Sequence, residues 1–121
     1  MQRSNFYSYT QKKLDLLTKN LLVIKRDGRV VKFDADKIYK AIEKAVNSVF
    51  GEKHSVNIDN IVDNVIIEIG NRFKDNIKIY ELQNIVEHTL LTLGEEAIYE
   101  EYVGYRSMRD IERERSLDIN V

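Results

Sequence analysis

Residues 21–33 read LLVIKRDGRVVKF, two apolar, β-branched runs on either side of Asp27-Gly28. An Asp-Gly pair between such runs is the strongest short-range hairpin signal, because a type I′ turn needs positive φ at both central positions. A two-residue turn would pair Arg26 with Arg29, Ile24 with Val31 and Leu22 with Phe33 on one face. Lys25/Val30 and Val23/Lys32 would then share the other. The first face is the more apolar and is expected to cover the core. Its tip would set two arginines opposite each other, a repulsion that a bound anion would remove.

Downstream the periodicity becomes helical. Asp34 is a suitable N-cap for ADKIYKAIEKAVNSVF, where Ile38, Ala41/Ile42, Ala45/Val46 and Val49/Phe50 recur at helical spacing and Gly51 supplies the stop. A second helix is expected after Asn57, with Ile58, Ile61/Val62, Val65/Ile66 and Ile69 in one stripe and Gly70-Asn71 ending it. Asn76-Ile77-Lys78-Ile79 is too short for a helix and reads as a third strand able to pair with the hairpin. A third helix carries Leu82, Ile85/Val86, Leu90 and Leu93 before Gly94. A fourth, from Glu95 to about Arg115, places Ala97/Ile98, Tyr102, Tyr105, Met108 and Ile111 on one side. The expectation is an α+β fold, four amphipathic helices with a small three-stranded sheet. Upstream, residues 1–20 form a polar leader with Leu14, Leu16 and Leu17 as its aliphatic cluster and a short helix starting after Ser8 or Thr10. Residues 21–115 form the domain and 116–121 a tail.

Composition narrows the function. A chain of 121 residues is the usual size of one domain with one core. No apolar run approaches the ~20 residues needed to span a bilayer, and the N-terminus has no apolar signal region, so a soluble, cytoplasmic chain is expected. With no cysteine there is no disulfide, thiolate nucleophile or cysteine zinc site. His54 and His88 lack a second ligand at helical spacing, so no metal site is expected, and His88 reads as a surface side chain. A net charge of −1 argues against nucleic-acid binding, which usually rests on a basic excess. Any anion site must be local.

The carboxylates are spread over helix surfaces among opposite charges, and no Walker A loop, GxGxxG, HExxH or GxSxG occurs. No catalytic residue is assigned. Two segments concentrate positive charge instead. Residues 23–38, VIKRDGRVVKFDADKI, hold Lys25, Arg26, Arg29, Lys32 and Lys37 and lead into a helix N-terminus, a setting suited to phosphate; the same residues would also serve to protect an edge strand. In YVGYRSMRDIERERS, Arg106, Arg109 and Arg113 lie near one helical face. With Asp110, Glu112 and Glu114 beside them they fit a salt-bridged surface helix better than a binding helix. Tyr99, Tyr102 and Tyr105 fit core or boundary aromatics better than base-stacking residues.

These two segments carry a resemblance. VIKRDGRVVKFDADKI resembles the opening motif of the ATP-cone, a regulatory module of ribonucleotide reductases and of the repressor of their genes. YVGYRSMRDIERE is similar to the end of that module in anaerobic ribonucleoside-triphosphate reductases, and the likeness covers about residues 21–115. It implies a four-helix bundle capped by a three-stranded mixed sheet, with ATP or dATP held beneath the sheet as an allosteric ligand and Mg2+ accompanying the phosphates.

The resemblance also implies site residues. Lys25 matches the phosphate-binding lysine, with Arg26 following it in the same motif, Arg109 matches a second basic phosphate ligand, and Val31, Lys32, Phe33, Asp34 and Lys37 match the stretch around base and sugar. Val23, two residues before Lys25, and Ile38, directly after Lys37, belong to the implied nucleotide-binding set. Ile79 and Gln83 stand where the family has a threonine and a histidine. The implied partner is a reductase catalytic domain, in cis or in trans, with self-association through exposed helix faces, and neither nucleic acid nor membrane. The repressor's zinc ribbon and the reductase's cysteines and glycyl-radical region are missing, so the chain is expected to be a separated or stand-alone cone whose parent is an anaerobic reductase. The competing reading is a helical protein-interaction module that binds no nucleotide.

Overall fold

In a computed structural model the backbone is described over residues 16–119 and the side chains over residues 16–108. The elements are β1 (Leu22–Ile24), β2 (Val30–Lys32), α1 (Ala35–Phe50), α2 (Ile58–Arg72), β3 (Asn76–Lys78), α3 (Ile79–Thr92) and α4 (Glu96–Ile119). The expected leader helix after Ser8 or Thr10 lies outside the described residues. The fold is α+β, four helices and a three-stranded mixed sheet, as the periodicities require.

The sheet order is β2-β1-β3, with β1 antiparallel to β2 and parallel to β3. The hairpin register differs by one residue from the expected one: Leu22 pairs with Lys32, Val23 with Val31 and Ile24 with Val30. Within the hairpin only Gly28 takes positive φ, at 88°, whereas a type I′ turn also needs it at Asp27. The loop is therefore Arg26-Asp27-Gly28, closed by Gly28 N–H to Lys25 O at 3.0 Å and Lys25 N–H to Arg29 O at 2.8 Å. The Asp27 carboxylate fastens it, accepting from Arg29 N at 3.1 Å and Arg29 Nε at 2.7 Å.

One residue of slip exchanges the faces of β1. Val23 points to the core and is buried, while Leu22 and Val30 are exposed. Arg26 and Arg29 are not opposed. Across the sheet the row Val31–Val23–Ile77 faces the bundle, with Ile77 fully buried.

The bundle follows from its apolar stripes. Ile42, Val46, Val62, Val65, Ile66, Ile69, Val86, Leu90 and Ile98 are fully buried, and burying such aliphatic side chains contributes about 1.5–3 kcal/mol each before conformational entropy is subtracted. Consecutive helices pack on one another, and α4 closes the ring against α1. Asp34 Oδ1 caps α1 by accepting from Asp36 N at 3.0 Å, and Asn57 Oδ1 caps α2 by accepting from Asn60 N at 3.0 Å. β3 is shorter than expected because Ile79 already begins α3, whose start is tied by Lys78 N–H to Glu81 Oε1 at 3.0 Å. α4 runs beyond Arg115, to Ile119.

Gly70-Asn71 does not end α2, which continues to Arg72 with Gly70 buried inside it. A glycine is needed there because Leu17 packs directly against it. A Cβ at position 70 would stand 2.7 Å from Leu17 Cβ and 3.4 Å from the Leu17 carbonyl oxygen. Gly70→Ala is expected to destabilise the domain by about 1–2 kcal/mol, the overpacking cost exceeding alanine's helix advantage of about 1 kcal/mol. Urea denaturation reads the sign, and a stabilised variant would mean that Leu17 does not rest on Gly70.

Candidate functional site

The expected site residues gather at the sheet end of the bundle. Val23 and Ile38 are fully enclosed in the core and can only back a ligand, whereas Val31, Phe33 and Ile79 are half-buried against the same core and form its apolar margin. Lys25 leaves β1 one step past the Ile24–Lys78 pair, beside the start of α3 at Ile79. By strand alternation it shares the inward face with Val23. Lys32 lies on the outer face with Leu22 and is exposed, so its side chain faces away from the bundle. Arg26 sits at the exposed tip of the hairpin loop.

At the α1 entry, Asp34 and Asp36 put two carboxylates on the helix N-terminus, and Lys37 N–H donates to Asp34 O at 3.2 Å. Asp34 already accepts an N–H of the first turn. A capped, acidic terminus is a poor phosphate seat and a good acceptor for hydroxyl or amino groups. The charge arrangement thus sets a cation on the Lys25 side and hydrogen-bond acceptors on the Asp34 side. The side chain of Arg109, the other expected phosphate ligand, lies outside the described residues, as does that of Arg113. Among the described residues no group of His, Asp or Glu is arranged to hold a metal ion, and no helix is long and apolar enough to cross a membrane.

The family model for the ATP cone domain matches residues 21–111, from the first core residue of the hairpin into α4. The chain belongs to the ATP-cone family. It is 36% identical over 98 residues to the anaerobic ribonucleoside-triphosphate reductase of Haemophilus influenzae, covering 79% of this chain and 13% of the reductase. It is 28% identical over 113 residues to the ribonucleoside-diphosphate reductase subunit alpha of Chlamydia muridarum, covering 85% of this chain and 11% of that subunit. With the transcriptional repressor NrdR of Caldicellulosiruptor saccharolyticus it shares 35% identity over 94 residues, 75% of this chain and 58% of the repressor. The chain thus spans a small part of the reductases it matches. The cone they share is a regulatory domain, not a catalytic one.

One part of this ATP-cone differs from the sequence expectation. Among the described residues Arg106 pairs across the α3–α4 seam with Glu87, Nη1 standing 2.9 Å from Oε2, while the side chains of Asp110, Glu112 and Glu114 lie outside the described residues. That approach is an ion contact without hydrogen-bond alignment. Nη2 donates to Glu87 Oε1 at 3.4 Å and Nη1 to Gln83 Oε1 at 3.5 Å. Gln83 and Glu87, one turn apart on α3 after Ile79, were the available signal, since this spacing aims all three at one neighbouring helix. Tyr99 and Tyr102 pack on the core as expected, whereas Tyr105 is exposed with Lys44 Nζ 3.8 Å from its ring centroid. His88 is exposed, as expected.

Burial raises the Glu87 carboxyl above its ordinary value, and Arg106 opposes that shift only in part. A group with a raised folded-state pKa contributes stability that is fully present below the unfolded value and is lost as pH rises through the folded one. Glu87→Gln is therefore expected to flatten the stability profile just above the ordinary glutamate range. Chemical denaturation across that range checks it, and an unchanged profile would contradict it.

Proposed function

We propose that this ATP-cone is an allosteric adenine-nucleotide sensor for a ribonucleotide reductase, taking ATP or dATP beneath the sheet. The observation that carries the reading is the hairpin, which brings Lys25 on the inward face to the margin formed by Val31, Phe33 and Ile79, within a segment that the family model matches. In this reading Lys25, Arg26 and Arg109 bind the phosphates, with Mg2+ coordinated mainly by phosphate and water. The stretch from Val31 to Lys37 surrounds base and ribose, with Asp34 as its acceptor. Ile79 replaces a polar contact with an apolar one, and Gln83 contributes an amide.

ATP and dATP differ by one hydroxyl, so they are told apart at the ribose or through the number of molecules bound. The bound nucleotide acts on a reductase catalytic region, in cis or in trans, by favouring one arrangement of the two over another. This is a cytoplasmic role that needs neither nucleic acid nor membrane. Calorimetric titration with ATP and with dATP in the presence of Mg2+ tests the reading. Saturable binding of both is expected; no binding at millimolar nucleotide would leave the interaction-module reading in its place.

A further inference from the structure

We propose that Arg106 of α4 is a further phosphate-binding residue of the nucleotide site, held ready by Glu87 at the α3–α4 seam. The inference rests on the nucleotide-sensing reading and extends its site to a residue outside both the hairpin and the Val31–Lys37 stretch.

The first argument concerns what the ion pair does for the fold. The side chains of Arg106 and Glu87 are only 25% and 14% exposed. Taking both charges out of water is costly, and such pairs are often replaceable by apolar residues without loss of stability. The raised Glu87 carboxyl has the same cause, burial that its partner does not fully offset. Stability is therefore a weak reason for this pair.

The second argument concerns what is left over. A guanidinium has five N–H donors in a fixed fork, and Glu87 and Gln83 engage only its Nη1 and Nη2 groups. Arg106 Nε is shielded from solvent and has no hydrogen-bond partner among the described residues. A dry, unsatisfied donor is costly, and an anionic oxygen relieves that cost with a charge-assisted hydrogen bond.

Placement supplies the third argument. Ile79, Gln83 and Glu87 follow one another down α3 from the point where β3 hands the chain over beside Lys25. Arg106 touches the lower two of these, so its cation lies along the α3 face that leads down from Ile79, below the sheet. Glu87 has two consequences there. It fixes the fork, and its negative charge competes with phosphate for the same cation.

Two measurements on the 121-residue chain test this. Calorimetry with ATP is expected to show binding weakened about tenfold or more in Arg106→Gln, the scale of a lost charged hydrogen bond. In Glu87→Gln it is expected to tighten by a few-fold, because the amide still accepts from Arg106 while the competing charge is gone. The second measurement reads the parent chain: the Nε–H resonance of Arg106, assigned by its loss in the conservative variant Arg106→Lys, is followed during titration of the parent chain with ATP. A downfield shift at saturation is expected. If the parent binds ATP but this resonance does not move, or if Arg106→Gln binds as the parent does, Arg106 has no part in binding and the inference is overturned. If the parent binds no ATP, the nucleotide reading itself fails.

Discussion

Ile77→Ala is expected to lower the unfolding free energy by about 3 kcal/mol, within the range for truncating a buried isoleucine. Ile77 is fully buried and ends the row Val31–Val23–Ile77 that seats the sheet on the bundle. Its side chain joins β3 to the core directly beside the start of α3, so the cavity would open where sheet and helices meet. For a small domain with about 5–15 kcal/mol of total stability, that is a large fraction. Leu22→Ala, on the outer face of the neighbouring strand, should cost less than about 1 kcal/mol. Urea denaturation of the two variants checks both values, and equal losses would mean that the sheet does not present Ile77 inward and Leu22 outward as described.

Lys25→Ala is expected to weaken ATP binding by about ten- to a hundredfold, the loss of one or more charged hydrogen bonds to phosphate, with the melting temperature of the nucleotide-free domain nearly unchanged. The matching control is Lys32→Ala. Under a two-residue turn, Lys25 and Lys32 would share a face of the hairpin; in the observed register they lie on opposite faces. Lys32→Ala should therefore stay within about twofold of the parent, since it removes an outward-facing charge whose effect is largely screened. Equal losses for both lysines would contradict the inward placement of Lys25.

The helices were legible because their signals are local and redundant. Asp34 and Asn57 cap as their residue types predict, and Ile38, Ile42, Ala45 and Val46 recur at the spacing that buries them. The register of the hairpin was not legible, because Asp27-Gly28 fits either a two-residue turn or the second half of a three-residue loop. The choice depends on Val23 having to meet Val31 and Ile77, a tertiary demand absent from the segment itself. Gly70 misled for a similar reason: a helix-ending glycine and one crossed by another segment look alike until Leu17 is placed against it. Arg106 had acidic neighbours in sequence, yet its partner comes from α3, and only packing could reveal that. In the site, the basic hairpin was visible at once, whereas the division into Lys25 inside and Lys32 outside waited on the register.

The most direct test of the account is to titrate the 15N-labelled domain with ATP and follow the backbone amides. The account predicts that the largest shifts fall together on Val23–Lys25, Val31–Lys37 and Ile79–Gln83, while the amides of the α1–α2 connection around Gly51–His54, at the far end of the bundle, stay in place. Saturating shifts confined to residues outside those three segments would contradict a nucleotide site beneath the sheet.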